Sequence, residues 1–400
     1  MTTANIAVVG TGQRGGALAK LVQSAECDAT LYALCDVDAE RISACQKEFA
    51  LNPQKTLLDY RELLNDSDVD GVILATPDNT HREISIAFLE CGKNLFLEKP
   101  MANTVEDCKE IARTAEASDG LLMIGYTLRY TPFYERVHEI VTSGELGQIV
   151  SIEAREHLDV AHGAAFMRRW HRKSPCSGHF ILTKCSHDLD LLSWFADAKA
   201  VKVASFGGTN VLTVRDGCAT HCSKCPDEIR ETCSYVYGGE YVLETEGDRA
   251  DPSRNDMDLC VYTCDKELVD NQCAIIEYEN GVRATFNLQL FSPVDYRMVH
   301  ISGEKGFLSG EFNCTTGSFV RVHSNVTGEI TEHTFEDTGG GHGGGDLHII
   351  NSFVDSIRGG TSPLADLATG FESAVTALAI DESMNTGYVV TIFPESYLNF

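Results

Sequence analysis

The sequence predicts an α/β protein that opens with a doubly wound parallel sheet and continues into a second domain richer in β-hairpins. Three observations carry this. Over the first 125 residues, short apolar runs alternate with helical patterns, and such alternation implies a parallel sheet covered by helices. A glycine-rich turn, Gly10-Thr11-Gly12-Gln13-Arg14-Gly15, joins the first run to the first helical pattern. Beyond it, hairpin signals replace the alternation.

The first element is Ile6-Ala7-Val8-Val9, a short and mostly β-branched strand. After the glycine turn, Leu18, Leu21, Val22 and Ala25 fall at helical spacing. A second apolar run, Leu31 to Cys35, ends at Asp36. Strand, glycine turn, helix, strand and acid, in that order, form the context of a dinucleotide fingerprint. Gly10 permits the tight turn, Gly12 lets a pyrophosphate approach the backbone at the helix N-terminus, and Gly15 lets helix and strand pack closely. Gln13 and Arg14 belong to the same cofactor-binding turn. Asp36, 21 residues after Gly15, can accept hydrogen bonds from ribose hydroxyls and would repel a 2′-phosphate. NAD is therefore favoured over NADP, although Arg41 keeps NADP open.

The alternation continues. Val72 to Ala75 reads as a strand running into Thr76-Pro77-Asp78-Asn79-Thr80-His81, and Thr80 to Glu83 reads as a capping box. The helix that follows shows Ile84, Ala87, Phe88 and Cys91 on one face, and Gly92 closes it. Asn94 to Leu97 is the next strand, ending in Glu98-Lys99-Pro100; Thr104 to Ala117 is a helix and Leu121 to Ile124 a strand. Ligands of such sheets bind at the carboxyl ends of the strands. Thr76, Pro77, Asn79, His81, Glu98 and Lys99 are accordingly expected to face the cofactor.

Composition narrows the function classes. Apolar residues make up 43% of the 400, and 34 Gly with 10 Pro is ordinary usage, which excludes a collagen-like or wholly disordered chain. No apolar run approaches the roughly 18 residues that span a bilayer. The opening MTTANIAVVG lacks a basic n-region, so no signal peptide is expected. A net charge of −27 argues against nucleic acid and anionic membrane as partners. Fifteen cysteines without a signal peptide point to a reducing cytoplasm.

The segments GTGQRG, ATPDNTH, EKP and KCSHDLD, in that order, closely resemble the Gfo/Idh/MocA family, the glucose–fructose oxidoreductase and inositol dehydrogenase group of NAD(P)-dependent sugar oxidoreductases. The resemblance covers essentially the whole chain. It implies an N-terminal Rossmann domain, placed here at residues 1–124. It also implies a C-terminal α/β domain on a large, mostly antiparallel sheet, at 125–400, for substrate binding and assembly into homodimers or homotetramers. Carried over, it has Lys99 contact substrate and nicotinamide ribose, and His187 act as acid/base partner. The residue chemistry agrees. A lysine held at a strand end can stabilise a developing alkoxide, and a histidine can take the hydroxyl proton as hydride leaves the same carbon. One departure stands out: many members carry an acid four residues before the equivalent of His187, where this chain has Thr183. Lys184, which follows, is the candidate to fill that place as a second cation or a base. Asp188 and Asp190 are nearby alternatives.

In the second domain, Arg129 and Tyr130 read either as partners of sugar hydroxyls or as junction packing. Phe166-Met167-Arg168-Arg169-Trp170-His171-Arg172-Lys173 gathers four cations in an acidic chain. Trp170 can stack on a sugar ring, and Arg169 or His171 can hold a carboxylate or sulfonate; the alternative is a basic turn neutralised by neighbouring acids. A Cys-rich insertion near 218–264 contains Cys218, Cys222, Cys225 and Cys233. Its C-x2-C knuckle suggests structural zinc, with unliganded thiols as the alternative. Ala274 to Phe286 is a hairpin whose Asn280-Gly281 suits a type I′ turn, and Val299 to Gly310 suggests another. Gly339 to Asp346 reads as a flexible loop, with Asp346 capping a helix from Leu347 to Ile357 and His342 within reach of substrate.

The expected activity is NAD-dependent oxidation of a secondary hydroxyl on a small carbohydrate: a sugar, cyclitol or glycoside, anionic if the cationic segment binds it. Two alternatives stay open: an NAD-dependent glycosidase that oxidises, eliminates and re-reduces, and an NAD-binding regulatory protein.

Overall fold

The computed structural model describes residues 3–237, 255–313, 317–336 and 341–393. Its first sheet contains β1 (Ala4–Val9), β2 (Ala29–Cys35), β3 (Lys55–Leu57), β4 (Gly71–Leu74), β5 (Asn94–Leu97) and β6 (Leu122–Ile124). All pairs are parallel and the order is β3-β2-β1-β4-β5-β6. The central strands are buried on both faces, which is why they read as continuous apolar runs rather than alternating ones. The order reverses between β1 and β4, the switch point at which such sheets bind ligands.

The second sheet has nine strands: β7 (Ile149–Asp159), β8 (Ala200–Gly208), β9 (Asn271–Tyr278), β10 (Arg283–Ser292), β11 (Tyr296–Gly303), β12 (Gly306–Phe312), β13 (Ser318–Ser324), β14 (Ile330–Phe335) and β15 (Val390–Thr391). The order is β14-β13-β12-β11-β7-β10-β9-β8-β15, antiparallel except where β7 runs beside β10. Period-2 burial is clear in β9, where Gln272, Ala274, Ile276 and Tyr278 turn inward. The helices Ser186–Ala196 and Leu367–Thr386 cover the inner face. Ile275 and Phe206 stand on the open one, 57% and 71% exposed.

The chain then returns to the first sheet. Helix Gly345–Ile357 lies against it: the Phe353 ring is 5.8 Å from that of Phe96, and a Cβ on Gly71 would meet Phe353 at 3.1 Å. Arg358, just beyond, donates to the carboxylate and carbonyl of Asp28.

Three local expectations are corrected. Thr80 and Glu83 form no capping box: the Thr80 hydroxyl donates to the Pro77 carbonyl and Thr76 Oγ1, while Glu83 accepts from Tyr60 and Arg61. The β9–β10 turn has one positive φ, at Gly281 and not at Asn280. Gly281 N donates to the Tyr278 carbonyl at 2.9 Å, so the loop is a turn closed by a left-handed glycine rather than a type I′ pair. Asp346 does not cap its helix; Gly344 takes the cap position and Asp346 lies in the first turn, paired with Arg14 and His342. Gly339 and Gly340, and residues 238–254 of the Cys-rich insertion, lie outside the described residues.

Candidate active site

The glycine turn is shaped for a dinucleotide. Gly10 has φ +92°, and a Cβ there would lie 2.4 Å from the Ala75 carbonyl oxygen. A Cβ on Gly15 would lie 1.9 Å from the Gly10 carbonyl oxygen. Both positions exclude any side chain. A Cβ on Gly12 would meet nothing within 4 Å: here the backbone faces an open cradle at the N-terminus of helix Gln13–Val22, the place for a pyrophosphate. Asp36 closes the turn, its Oδ2 accepting from the backbone N (2.8 Å) and hydroxyl (3.0 Å) of Thr11. Gln13 is exposed beside the cradle.

Arg14 turns the other way and clasps three segments. It donates to Glu98 Oε1 at 2.6 Å, Asp346 Oδ1 at 2.8 Å and Thr127 Oγ1 at 3.0 Å. Burial works against the Arg14 charge, but Glu98 and Asp346 outweigh it and hold its pKa above the ordinary value. Asp346 is held below the usual carboxylate range, Arg14 and His342 outweighing the burial that opposes them. Glu98, expected at the cofactor, is thus engaged by Arg14 and by its neighbour's backbone N–H. His81 is buried, with Nδ1 2.8 Å from the Pro100 carbonyl and Nε2 3.0 Å from that of Thr76. It ties the two strand-end loops together, leaving Pro77 and Asn79 exposed at the rim.

Lys99 lies at the end of β5, before a cis peptide to Pro100, and its ammonium donates to the Thr183 carbonyl at 2.6 Å. Burial, reinforced by Lys184 and Arg14, lowers its pKa despite Glu98 and Asp78. His187, in the first turn of its helix, is 3% exposed. Burial, then Lys99 and His342, push its pKa well below the ordinary value, so its imidazole is neutral at pH 7.

Behind these lies a buried charge cluster that sequence patterns do not reveal. Glu156 on β7 and Arg297 on β11 are direct cross-strand partners. Arg297 donates to Glu156 Oε1 at 2.7 Å and to Asp188 Oδ1 at 2.9 Å. Lys184 Nζ lies 3.3 Å from Glu156 Oε1. Burial, with Glu156 adding to it, pushes the Asp188 carboxyl up to about 7.

Several buried polar atoms here have no hydrogen-bond partner among the described residues: Asp78 Oδ2, His171 Nδ1, His187 Nδ1 and Asp188 Oδ2. Asp78, His171 and His187 all feel the Lys99 charge, and Asp188 that of Lys184. Buried polar atoms are nearly always paired, so these four are candidates for contact with a polar ligand. Asp78, Glu156 and Arg297 were not among the expected site residues. Asp78 stood inside the ATPDNTH segment; the other two are joined only by strand register.

Other candidates are engaged elsewhere. Arg129 makes a two-pronged pair with Asp190 (both 2.8 Å), donates to the Leu364 carbonyl and lies over Trp194. Tyr130 is buried and its hydroxyl accepts from Leu364 N at 2.8 Å. Both serve the junction. The cationic segment is largely engaged: Arg168 donates to the carbonyls of Leu259 and Tyr235, Arg172 pairs with Asp265, and Lys173 with Asp265 and Glu267. Trp170 stacks on His171 at 3.8 Å. Burial, then Arg169 and Lys99, lower the His171 pKa.

The zinc expectation finds no support among the described residues. Among the described residues no three His, Cys, Asp or Glu side chains form a group able to hold a metal. Cys222 Sγ is 3.3 Å from the Arg168 guanidinium and points at the carbonyls of Tyr235 and Leu259. His221 is taken up by Thr220 and Asp256. Cys218 faces Cys260 and Cys225, and burial ahead of these neighbours pushes its thiol up to about 11.

The model of an oxidoreductase family with an NAD-binding Rossmann fold (Gfo/Idh/MocA) matches residues 4–126, and that of its C-terminal alpha/beta domain matches residues 138–392. The Bacillus subtilis protein YteT is 24% identical over 387 residues, 88% of this chain and 87% of its own. Inositol 2-dehydrogenase of Salmonella typhimurium is 30% identical over 205 residues, which cover 50% of this chain and 57% of that enzyme. The alignment thus spans little more than half of that relative. Among solved structures, an oxidoreductase domain protein from Kribbella flavida superposes with a TM-score of 0.76 at 21% identity, over 98% of this chain and 100% of that one. Levoglucosan dehydrogenase in complex with NADH gives 0.75 at 18%, over 98% and 99%.

Proposed function

Because the chain belongs to the Gfo/Idh/MocA oxidoreductase family, we propose that it is an NAD-dependent dehydrogenase acting on a secondary hydroxyl of a sugar, cyclitol or glycoside. The observation that carries this reading is the ring of unpartnered buried polar atoms around Lys99. A site built to hydrogen-bond several hydroxyls leaves such atoms waiting, and it rejects ligands that lack the hydroxyls. The inositol dehydrogenases and the levoglucosan enzyme among the similar proteins point to the same substrate class.

NAD, when bound, supplies the hydride acceptor. The Gly12 cradle holds the pyrophosphate, and Asp36 engages the adenosine ribose and disfavours a 2′-phosphate. Lys99 donates to the reacting oxygen and stabilises the negative charge that develops as its proton leaves. His187 takes that proton. Its lowered pKa keeps it unprotonated, and therefore able to accept, across the neutral range. Lys184 and Arg297 hold Glu156 and Asp188 behind it, and Asp188 Oδ2 offers a further hydroxyl contact. Since Arg168, Arg172 and Lys173 are occupied, a neutral polyol fits better than an anionic one. The open sheet face bearing Ile275 and Phe206 is the surface for pairing subunits.

The test is to incubate the protein with NAD+ and a panel of inositols, sugars and glycosides. Accumulating NADH supports the dehydrogenase. Release of an aglycone without NADH would replace it with redox-neutral glycoside cleavage. A cellular role that survives Lys99→Ala would point to a regulator.

A further inference from the structure

His342 stands in the turn Gly341–Gly344, where three successive residues have positive φ: His342 at +51°, then Gly343 and Gly344. For a histidine this conformation is uncommon, and it persists where the surroundings over-determine it. The turn is closely seated: a Cβ on Gly343 would meet the Phe312 ring at 2.7 Å, and one on Gly345 the Thr127 carbonyl oxygen at 2.7 Å. The imidazole is tied as well. Its Nδ1 lies 3.0 Å from Asp346 Oδ1, and that same buried oxygen accepts from Arg14 Nη1 at 2.8 Å.

These contacts set the state of the ring. Burial lowers the His342 pKa despite Asp346, so the imidazole carries one proton at pH 7. A carboxylate can only accept, which places that proton on Nδ1 and leaves a lone pair on Nε2. Nothing among the described residues hydrogen-bonds Nε2, and the side chain is 31% exposed. The ring lies beside that of His187, with centroids 5.5 Å apart and planes inclined at 54°. Two imidazoles at that spacing can be met by two hydroxyls of one small polyol. We infer that His342 is a substrate-binding residue: its Nε2 accepts from a hydroxyl of the polyol other than the one being oxidised, and the Arg14–Asp346 pair holds the imidazole in the tautomer that can do so. The inference takes the class of ligand from the dehydrogenase reading, but the state of the histidine stands on the contacts alone. It makes the site selective for substrates with at least two hydroxyls, since a mono-alcohol forgoes this bond.

The experiment compares the wild-type protein with His342→Asn. Asparagine tolerates the positive φ and keeps a side-chain donor for Asp346, but it lacks the Nε2 acceptor. The polyol is whichever of myo-inositol, scyllo-inositol, glucose and levoglucosan is turned over fastest. Its KM should rise about tenfold, with kcat changed less than about threefold and the KM for NAD+ unmoved. A polyol KM within about twofold of wild type in the folded variant overturns the inference. So does a rise in the KM for NAD+ as large as that for the polyol, which would make His342 a cofactor contact. The wild-type protein supplies a second measurement, read by mass spectrometry. Diethyl pyrocarbonate attacks unprotonated imidazole nitrogens; with NADH bound it should label His342 ahead of His187. At least one polyol of the panel should slow that labelling about threefold or more, as a ligand above its Kd does. A His342 that does not react, or that no polyol protects, overturns the inference even if His342→Asn does not fold. Protection without NADH formation from any polyol sinks the dehydrogenase reading and leaves the binding role standing. NADH formation with an unprotected His342 does the reverse.

Discussion

Two buried charge groups lie at the junction of the domains and behave oppositely. Arg129 and Asp190 are closed on each other: two bonds of 2.8 Å, a third to Leu364, an indole beneath. Nothing is left over. The Lys99 ammonium has one short bond to a carbonyl, and Asp78, His171 and His187, which feel its charge, each keep an unpartnered atom. Both groups are rich in charge and both come from segments that sequence alone assigned to the site. Satisfaction separates them. A completed pair is scaffold, and an incomplete set is a candidate place for a ligand.

That contrast can be broken by substitution. Lys99→Ala is expected to lower kcat/KM for any accepted polyol by about 10³-fold, the scale of losing a donor to a developing oxyanion, with Tm changed by no more than a few degrees. A large Tm loss at unchanged turnover would invert the comparison. Arg129→Ala leaves Asp190 buried and uncompensated, so unfolding in denaturant should show a loss of about 3–5 kcal/mol. The NAD affinity of whatever remains folded should be retained. Asp36→Ala removes a hydrogen bond to a charged group, worth about 1.5–3 kcal/mol. Titration should show weaker NAD binding and a narrowed preference over NADP. At the small end, Lys173→Ala breaks an ion pair with half-exposed Asp265 and should change stability by less than about 1 kcal/mol. It should not alter the KM of a neutral substrate, whereas a marked rise in KM would return the cationic segment to the site.

What could be read from the sequence follows the range of the causes. The glycine turn was legible because Gly10 and Gly15 are forced by backbone contacts within one βα unit, and Asp36 by the next strand. Lys99 and His187 were proposed through the family's motifs. The cationic segment left two readings open because a neutralising acid, Asp265, lies 93 residues beyond Arg172. Glu156 and Arg297 escaped because strand register joins positions 141 apart. The expected capping box gave way to a tertiary pull: Glu83 turns to Tyr60 and Arg61. The cysteine spacing suggested a metal, but thiol orientation is set by packing, and Cys222 points at Arg168 and two carbonyls.

The returning helix Gly345–Ile357 has a consequence for how the molecule is made. The nucleotide half looks finished after Ile124, yet one of its covering layers is encoded 221 residues later. At roughly 5–20 residues per second, translation leaves about 10–40 seconds between the two. Throughout that interval the nascent sheet presents the surface around Gly71 and Phe96 that Phe353 later seals. That covering layer is completed only once residues 345–357 have emerged.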